Sequence, residues 1–118
     1  MELRCRNCSI RGRFVCEIEQ SETRAGPGAL PRVFVKISHT GSISRQAYPC
    51  LDAQEYVKRL YAAYGPERLM WGTDWPVCKK WTSYEKTLMV VREEMKFLND
   101  RDKSWILSKT VQRVWPFR

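Results

Sequence analysis

From residue 32 onward, apolar and polar residues follow two distinct periods. Residues 33–38 (VFVKIS) are rich in β-branched side chains and alternate between two faces, which predicts a strand. Residues 68–72 (RLMWG) form a second short apolar run, bounded by turn residues. Apolar residues at helical spacing lie between these two runs and after them. The predicted order is therefore strand, helix, strand, helix, helix.

Three apolar stripes define the predicted helices. Within a stripe the residues recur at three- or four-residue spacing, which places them on one side of a helix. The stripes are Tyr56, Leu60 and Tyr64; Tyr84, Leu88, Val91, Met95 and Leu98; and Leu107, Val111 and Val114. Common capping residues precede them: Asp52 with Glu55, Thr82 with Glu85, and Asn99 with Asp100. Gly65 followed by Pro66 ends the first helix.

Strands that alternate with helices predict βαβ units, parallel strands and a right-handed crossover. Parallel sheets are normally covered on both faces, and a buried N–H or C=O left unpaired at an edge costs about 1–3 kcal/mol. A full (β/α)8 barrel takes ~250 residues, and this chain supplies about a quarter of its strands. We therefore expect part of a larger α/β fold, whose open strand edges favour self-association.

Residues 1–31 lack a sustained period and end in RAGPGALP (24–31), which is typical of a linker. We predict a weakly structured N-terminal segment, 1–31, followed by one domain, 32–118. The five scattered cysteines do not form a disulfide framework. Unrelated reduced thiols are favoured, and a zinc knuckle at Cys5, Cys8 and Cys16 is the alternative, although a structural zinc site needs four ligands.

Composition narrows the functional classes. A hydrophobic fraction of 43% with five tryptophans excludes a disordered protein. The net charge of +8 is dispersed, which favours a solvated surface, and a basic nucleic-acid-binding or interaction module is the alternative. No run approaches the ~18 apolar residues of a membrane span. Residues 1–10 lack the apolar region of a secretory signal, so we predict a cytoplasmic protein.

One acid has a position that favours chemistry. The stretch RLMWGTDWPV (68–77) places Asp74 just past the end of the second predicted strand. Against bulk water (pKa ~15.7), an aspartate of pKa ~3.9 faces a mismatch of about 12 units, or ~16 kcal/mol. Against metal-bound water (pKa ~7) the mismatch falls to about 3 units, or ~4 kcal/mol. Asp74 as a base therefore needs a metal or an activated electrophile; the alternative is a turn or helix-cap role.

Three stretches of the chain resemble one protein family. They are VFVKIS (33–38), YGPERLMWGTDWPV (64–77) and WILSKTVQRVWPF (105–117). They are similar to the C-terminal end of amidohydrolase-related (amidohydrolase 2) proteins, of the TIM-barrel metal-dependent hydrolase superfamily. The resemblance implies an α/β fold that is a partial TIM (β/α)8 barrel. It would contain the last two βα units plus the closing helix, with an irregular N-terminal appendage.

The resemblance also implies a role for Asp74. In metal-dependent members the matching aspartate ligates a divalent ion, often zinc, and takes a proton from the attacking water; in metal-independent members it acts as the base alone. The family's His-x-His pair has no counterpart here, so Asp74 is a metal ligand only if the missing histidines are supplied. We expect the C-terminal fragment of a hydrolase for a small lactone or amide (some members are decarboxylases), with no metal bound and no activity by itself.

Two cations are candidate substrate-binding residues. Lys36 alternates onto the strand face that would line a barrel, where it could meet an anionic substrate. The alternative places its stem along the strand and its head in solvent. Arg45 lies on the loop after the first predicted strand and could line a pocket, with an exposed surface position as the alternative.

Overall fold

The computed structural model describes residues 8–10, 13–17, 33–38 and 40–117. Four strands of this part form one sheet: β1 (Cys8–Ile10), β2 (Arg13–Glu17), β3 (Val33–Ile37) and β4 (Leu69–Trp71). Their order across the sheet is β1-β2-β3-β4. Strands β1 and β2 are antiparallel, whereas β2, β3 and β4 run parallel. The prediction of parallel strands at 33–38 and 68–72 is therefore confirmed.

The register between β3 and β4 determines which residues share a face. Lys36 lies beside Met70, and Ile37 lies beside Trp71. Because side chains alternate along a strand, Val35, Ile37 and Leu69 point to one side and Phe34 and Met70 to the other. The carboxyl ends of β3 and β4 lie side by side, and this end of the sheet is called the carboxyl edge below.

Helices follow each of these two strands. After β3 come α1 (Thr40–Ile43) and α2 (Leu51–Tyr64), and a 3-10 turn (Pro66–Arg68) leads into β4. After β4 come a 3-10 turn (Val77–Lys80) and α3 (Tyr84–Met89), which continues as a π turn (Val90–Glu94). The last elements are α4 (Asp100–Ser104), a π turn (Trp105–Lys109) and α5 (Thr110–Val114). No helix in the described ranges combines the length and apolarity that a membrane span requires.

Two apolar clusters cover the two faces of the sheet. The larger one packs helices on one face; its buried members are Val35, Ile37, Val57, Leu69, Val90, Val91, Met95, Leu98 and Ile106. The smaller one, Phe34, Met70 and Val114, packs α5 on the other face. Full burial of a side chain such as Leu69 contributes about 1.5–3 kcal/mol. Helices on both sides of β3 and β4 thus provide the cover that a parallel sheet needs.

The π turns change which residues the last helices bury. In the first of them the N–H of Met95 donates to the carbonyl of Val90 at 2.9 Å, a bond across five residues instead of four. The predicted stripe is confirmed from Val91 to Leu98, but Tyr84 at its start is 44% exposed. The last predicted stripe is divided, because Leu107 packs on the larger cluster whereas Val111 and Val114 belong to the smaller one.

The caps agree in part with those expected. Asn99 caps α4 as predicted, and its Oδ1 accepts from the Asp102 N–H at 2.9 Å. Helix α3 is capped by Ser83 instead of Thr82. Helix α2 begins at Leu51, and Cys50 occupies the cap position with a left-handed backbone (φ 59°) and no side-chain cap. Asp52 therefore lies in the first turn of α2 and is not its cap.

One prediction about the sheet needs correction. Strands β1 and β2 lie inside residues 1–31, for which weak, irregular structure was predicted, and β2 pairs directly with β3. A strand is stabilised by its cross-strand neighbours, so its local sequence carries little signal. Strand β4 ends the order of the described strands, and its residues Leu69 and Met70 are buried. Cys5 and the stretch 24–31 lie outside the described residues.

Candidate active site at the carboxyl edge

The segment that leaves β4 carries Asp74 just beyond the carboxyl edge. The N–H of Gly72 donates to the carbonyl of Ile37 at 2.9 Å, so the pairing of β3 and β4 extends one residue beyond β4. Asp74 then adopts φ 56°, in the left-handed region that non-glycine residues seldom occupy. Its Oδ2 atom is buried. The acid is therefore held in a conformation that costs roughly 1–2 kcal/mol, and its carboxylate is partly withdrawn from water.

Short-range hydrogen bonds fix the backbone on both sides of Asp74. The carbonyl of Asp74 accepts from the N–H of Cys78 at 3.0 Å, where the 3-10 turn after β4 begins. The hydroxyl of Thr73 accepts from the N–H of Trp75 at 3.2 Å. Cys78 is buried beneath this loop. The turn that positions the acid thus has its own anchors and does not depend on Asp74 alone.

Trp75 marks the exposed side of the same loop. It is 56% exposed, and its ring meets that of Tyr84 edge to face with centroids 6.3 Å apart. The ammonium of Lys79 lies 5.3 Å from the Trp75 ring centroid, within cation–π distance. An apolar ring with a cation above it therefore follows the acid directly in the chain.

Lys36 reaches the segment that carries Asp74. Its stem crosses Gly72 so closely that a Cβ built on that glycine would lie 2.5 Å from the Lys36 Cε. Gly72 thus provides the space through which Lys36 passes. The structure thus brings Lys36 to the carboxyl edge. The residue that its stem crosses, Gly72, lies two positions before Asp74 in the chain.

Arg45 lies further from this segment, on the loop between α1 and α2. Its side chain is exposed, and its backbone N–H donates to the Asp52 Oδ2 at 2.7 Å. The Ser44 hydroxyl donates to the other carboxylate oxygen of Asp52. These bonds, that from Ser44 first and that from the Arg45 N–H second, hold the pKa of Asp52 below its ordinary value. Asp52 thereby ties the loop to the first turn of α2.

Ser38 is a residue that the sequence reasoning missed. It is 6% exposed at the end of β3, and its hydroxyl makes no hydrogen bond within the described ranges of the chain. A buried hydroxyl of this kind is rare, because leaving it unsatisfied costs about 1–3 kcal/mol. The sequence did contain a signal for Ser38: it follows Lys36 by two positions, so the two side chains share one face of the strand.

The described residues do not by themselves assemble a metal site. No three His, Cys, Asp or Glu side chains come together anywhere in the described ranges. A catalytic zinc normally takes three protein ligands, so Asp74 could supply only one of them. His39, the single histidine of the chain, lies outside these ranges.

The chain is similar to a known protein family, to a named relative and to a solved structure. The amidohydrolase family model matches residues 22–117, and its match begins inside the segment 1–31. The L-fucono-1,5-lactonase of Burkholderia multivorans is 36% identical, over 53% of this chain and 23% of that protein. A zinc-bound amidohydrolase structure from the same organism is 28% identical with a TM-score of 0.67, over 77% of this chain and 34% of that one.

A further structure agrees with these matches. A protein of Pseudomonas putida, described as a 2-pyrone-4,6-dicarboxylic acid hydrolase, is 26% identical with a TM-score of 0.63, over 75% of this chain and 33% of that one. The present chain thus spans about a third of the length of these solved structures and 23% of the lactonase.

Proposed function

Because this chain belongs to the amidohydrolase family, we propose that residues 32–118 form the C-terminal part of a TIM-barrel hydrolase in which Asp74 is the catalytic carboxylate. The substrate class is a small carbonyl compound, a lactone or an amide. The lactonase name of a 36% identical relative supports the choice of lactones. The barrel would place β3 and β4 as its last two strands, with α5 as the closing helix.

The observation that carries the proposal is the conformation of Asp74. A left-handed φ of 56° with a buried carboxylate oxygen is a costly way to make a turn. Glycine would make the same turn with less strain. Active sites of barrel enzymes lie at the carboxyl ends of the strands, and Asp74 lies there. A strained acid at this edge is therefore better explained by chemistry than by turn formation.

Asp74 would act as a base toward the attacking water and orient it toward the carbonyl carbon. Bulk water is too weak an acid for an isolated aspartate, since the mismatch of about 12 pKa units corresponds to ~16 kcal/mol. The reaction therefore requires groups that the described residues do not assemble. We accordingly propose that this chain alone is inactive and that its residues act when the rest of a barrel is present.

Lys36 and Arg45 are the proposed substrate-binding residues. Lys36 is the better placed, because its stem crosses Gly72 at the edge from which Asp74 extends. An ammonium there would attract a carboxylate or an electron-rich lactone oxygen. Arg45, exposed on the loop after α1, would contact a substrate only at its outer end.

A chimera tests the role of Asp74. Residues 32–118 would replace the matching C-terminal part of the Burkholderia multivorans lactonase, and lactone hydrolysis and thermal unfolding would be measured. We expect a cooperatively folding chimera whose kcat falls at least a hundredfold in Asp74→Asn, whereas Asp100→Asn, an exposed control, leaves it unchanged. A chimera that does not fold would refute the barrel placement, and an active Asp74→Asn chimera would refute the catalytic role.

The isolated chain provides a complementary test. Purified protein with added zinc chloride would be assayed against a panel of lactones, and no turnover above background is expected. Turnover that disappears in Asp74→Asn would show that the chain is a complete enzyme. That result would overturn the proposed need for additional barrel elements while supporting Asp74 as the base.

A further inference from the structure

A small cavity lies between the segment that follows β3 and the segment that follows β4. It encloses about 140 Å³ between residues 40–50, which follow β3, and residues 81–90, which follow β4. Its walls include Trp81 and Tyr48, with Lys86 beside them. We call it the rim cavity. Asp74 and Lys36 are not among its lining residues, so it is distinct from the site described above.

Trp81 forms a wall of the rim cavity, and Gly41 packs against its indole ring. A Cβ built on Gly41 would lie 2.3 Å from Cδ1 of Trp81 and 2.8 Å from its Nε1. A side chain at this position would have to displace a rigid ring and not the flexible end of a chain. The glycine thus lets the loop after β3 approach the loop after β4 closely enough to enclose the cavity.

Tyr48 and Lys86 also line the rim cavity, and the Lys86 ammonium brings a positive charge to it. The Lys86 ammonium lies 5.7 Å from the centroid of the Tyr48 ring, and the Tyr48 hydroxyl donates to a carboxylate oxygen of Glu94 at 3.3 Å. Desolvation and the neighbouring Glu94 charge raise the pKa of Tyr48, so it stays a neutral donor at physiological pH. Of the residues that line the rim cavity in the described ranges, Lys86 is the one that carries a charge.

The remaining lining residues offer hydrogen bonds to hydroxyl groups. Thr40, Thr82 and Gln46 line the cavity, as does buried Val90. Buried Thr87 also lines it, although its hydroxyl already donates to the Tyr84 carbonyl at 2.7 Å. A volume of about 140 Å³ is well below the ~300–1,000 Å³ of sites for drug-sized ligands. The ligand must therefore be a compound of only a few carbon atoms.

We propose that the rim cavity binds a small hydroxy carboxylate of the size of lactate or glycerate. The carboxylate would pair with the Lys86 ammonium. The hydroxyl groups would bond to the threonine and glutamine side chains, and the carbon chain would lie against the Trp81 ring. Binding at this place does not depend on catalysis by Asp74, so the two proposals can fail separately.

The experiment is a titration of the isotopically labelled full chain with sodium L-lactate, followed by proton–nitrogen correlation NMR. We expect saturable shifts of the Trp81 indole N–H and the Gly41 amide, with a Kd in the millimolar range. The neutral analogue lactamide should produce much smaller shifts. Saturable shifts at other tryptophans but not at Trp81 would overturn the location. The absence of saturation, or equal shifts with sodium chloride at matched ionic strength, would overturn binding itself.

Two variants and one control test the recognition of lactate. Lys86→Gln should weaken lactate binding about tenfold, because it removes the cation that pairs with the carboxylate. Lys79→Gln, which removes a lysine over Trp75 outside the lining, should leave the Kd unchanged. Lactate binding that persists unaltered in Lys86→Gln would overturn the carboxylate assignment. Gly41→Ala should displace Trp81 and abolish binding, while a folded Gly41→Ala protein that binds normally would remove the argument for this cavity.

Discussion

The hydroxyl of Tyr61 donates to the Oδ2 of Asp102 at 2.5 Å and so connects α2 to α4 across 41 positions of the chain. Asp102 is buried, and the same oxygen accepts from the Asn99 side-chain amide at 3.0 Å. These two bonds satisfy one oxygen of a carboxylate that is largely shielded from water. Tyr61 also packs its ring against Phe97, which gives α2 a second contact with the chain that precedes α4. The contacts of Tyr61 with Asp102 and Phe97 thus join α2 to α4 and to the chain before it, beside the larger apolar cluster.

Tyr61→Phe should destabilise the protein by about 1.5–3 kcal/mol, because a buried carboxylate loses a donor while ring packing is kept. Urea unfolding at neutral pH measures this change. Tyr84→Phe is the matched control, since Tyr84 is half-exposed and its contacts with Trp71 and Trp75 are made by the ring. Equal effects of the two substitutions would contradict a special role for the Tyr61 hydroxyl.

The stability of the protein should also fall at alkaline pH, because Tyr61 loses its proton there. The hydrogen bond to Asp102, followed by burial, raises the pKa of Tyr61 above its ordinary value of 10.0. A raised pKa in the folded state gives a contribution that is fully present below the unfolded value and is lost as pH rises through the folded value. The stability difference between wild type and Tyr61→Phe should therefore shrink above pH 10. Urea midpoints between pH 8 and 11 would reveal a constant difference if this linkage is absent.

The effect of substitutions at Asp74 on stability should depend on the left-handed backbone at this position. Asparagine tolerates this conformation better than alanine, so Asp74→Ala should be less stable than Asp74→Asn by about 1 kcal/mol. At Lys58, exposed in the middle of α2, the order should reverse, because alanine is the better helix former by roughly 0.5 kcal/mol. Thermal unfolding of the four variants measures both differences. The same order at the two positions would mean that the conformation of residue 74 does not determine its stability.

The loop after α1 should loosen in acid as Asp52 becomes protonated. Bonds from Ser44 and from the Arg45 N–H lower the pKa of Asp52 from its ordinary value of 3.8. A lowered pKa means that the stabilising contribution is present above the ordinary value and is lost as pH falls through the lowered one. Asp52→Ala should accelerate hydrogen exchange of the Arg45 amide at neutral pH and flatten the loss of stability below about pH 4. Glu55→Ala, an exposed residue on the same helix, should leave the Arg45 amide protected.

Lys36→Met should change substrate preference in the lactonase chimera if Lys36 meets an anionic group. Methionine keeps most of the stem that crosses Gly72 and removes the charge. KM for a carboxylate-bearing lactone should rise about tenfold, which corresponds to 1.4 kcal/mol, while KM for a neutral lactone stays constant. Lys58→Met is the control. Parallel changes for both lactones would indicate that Lys36 only packs along the strand.

The order of strands and helices from residue 32 onward followed from local patterns. The β-branched run at 33–38 and the Asn99 cap each depend on neighbours within a few residues, so the chain alone predicts them. The membership of the chain in the amidohydrolase family is likewise a property of the sequence. These features also located the acid just past the end of β4.

The tertiary structure decided everything that depends on residues distant in the chain. Strands β1 and β2 exist because β3 pairs with β2, and the burial of Leu69 and Met70 comes from the packed structure as a whole. The passage of Lys36 across Gly72 and the contact of Gly41 with Trp81 join segments more than thirty positions apart. No local period encodes such contacts, since periodicity records which face of an element is apolar and not which partner covers it. The sequence therefore determined the strands, the helices and the position of Asp74 in the chain. Packing determined the pairing at the carboxyl edge, the left-handed turn at Asp74 and the rim cavity.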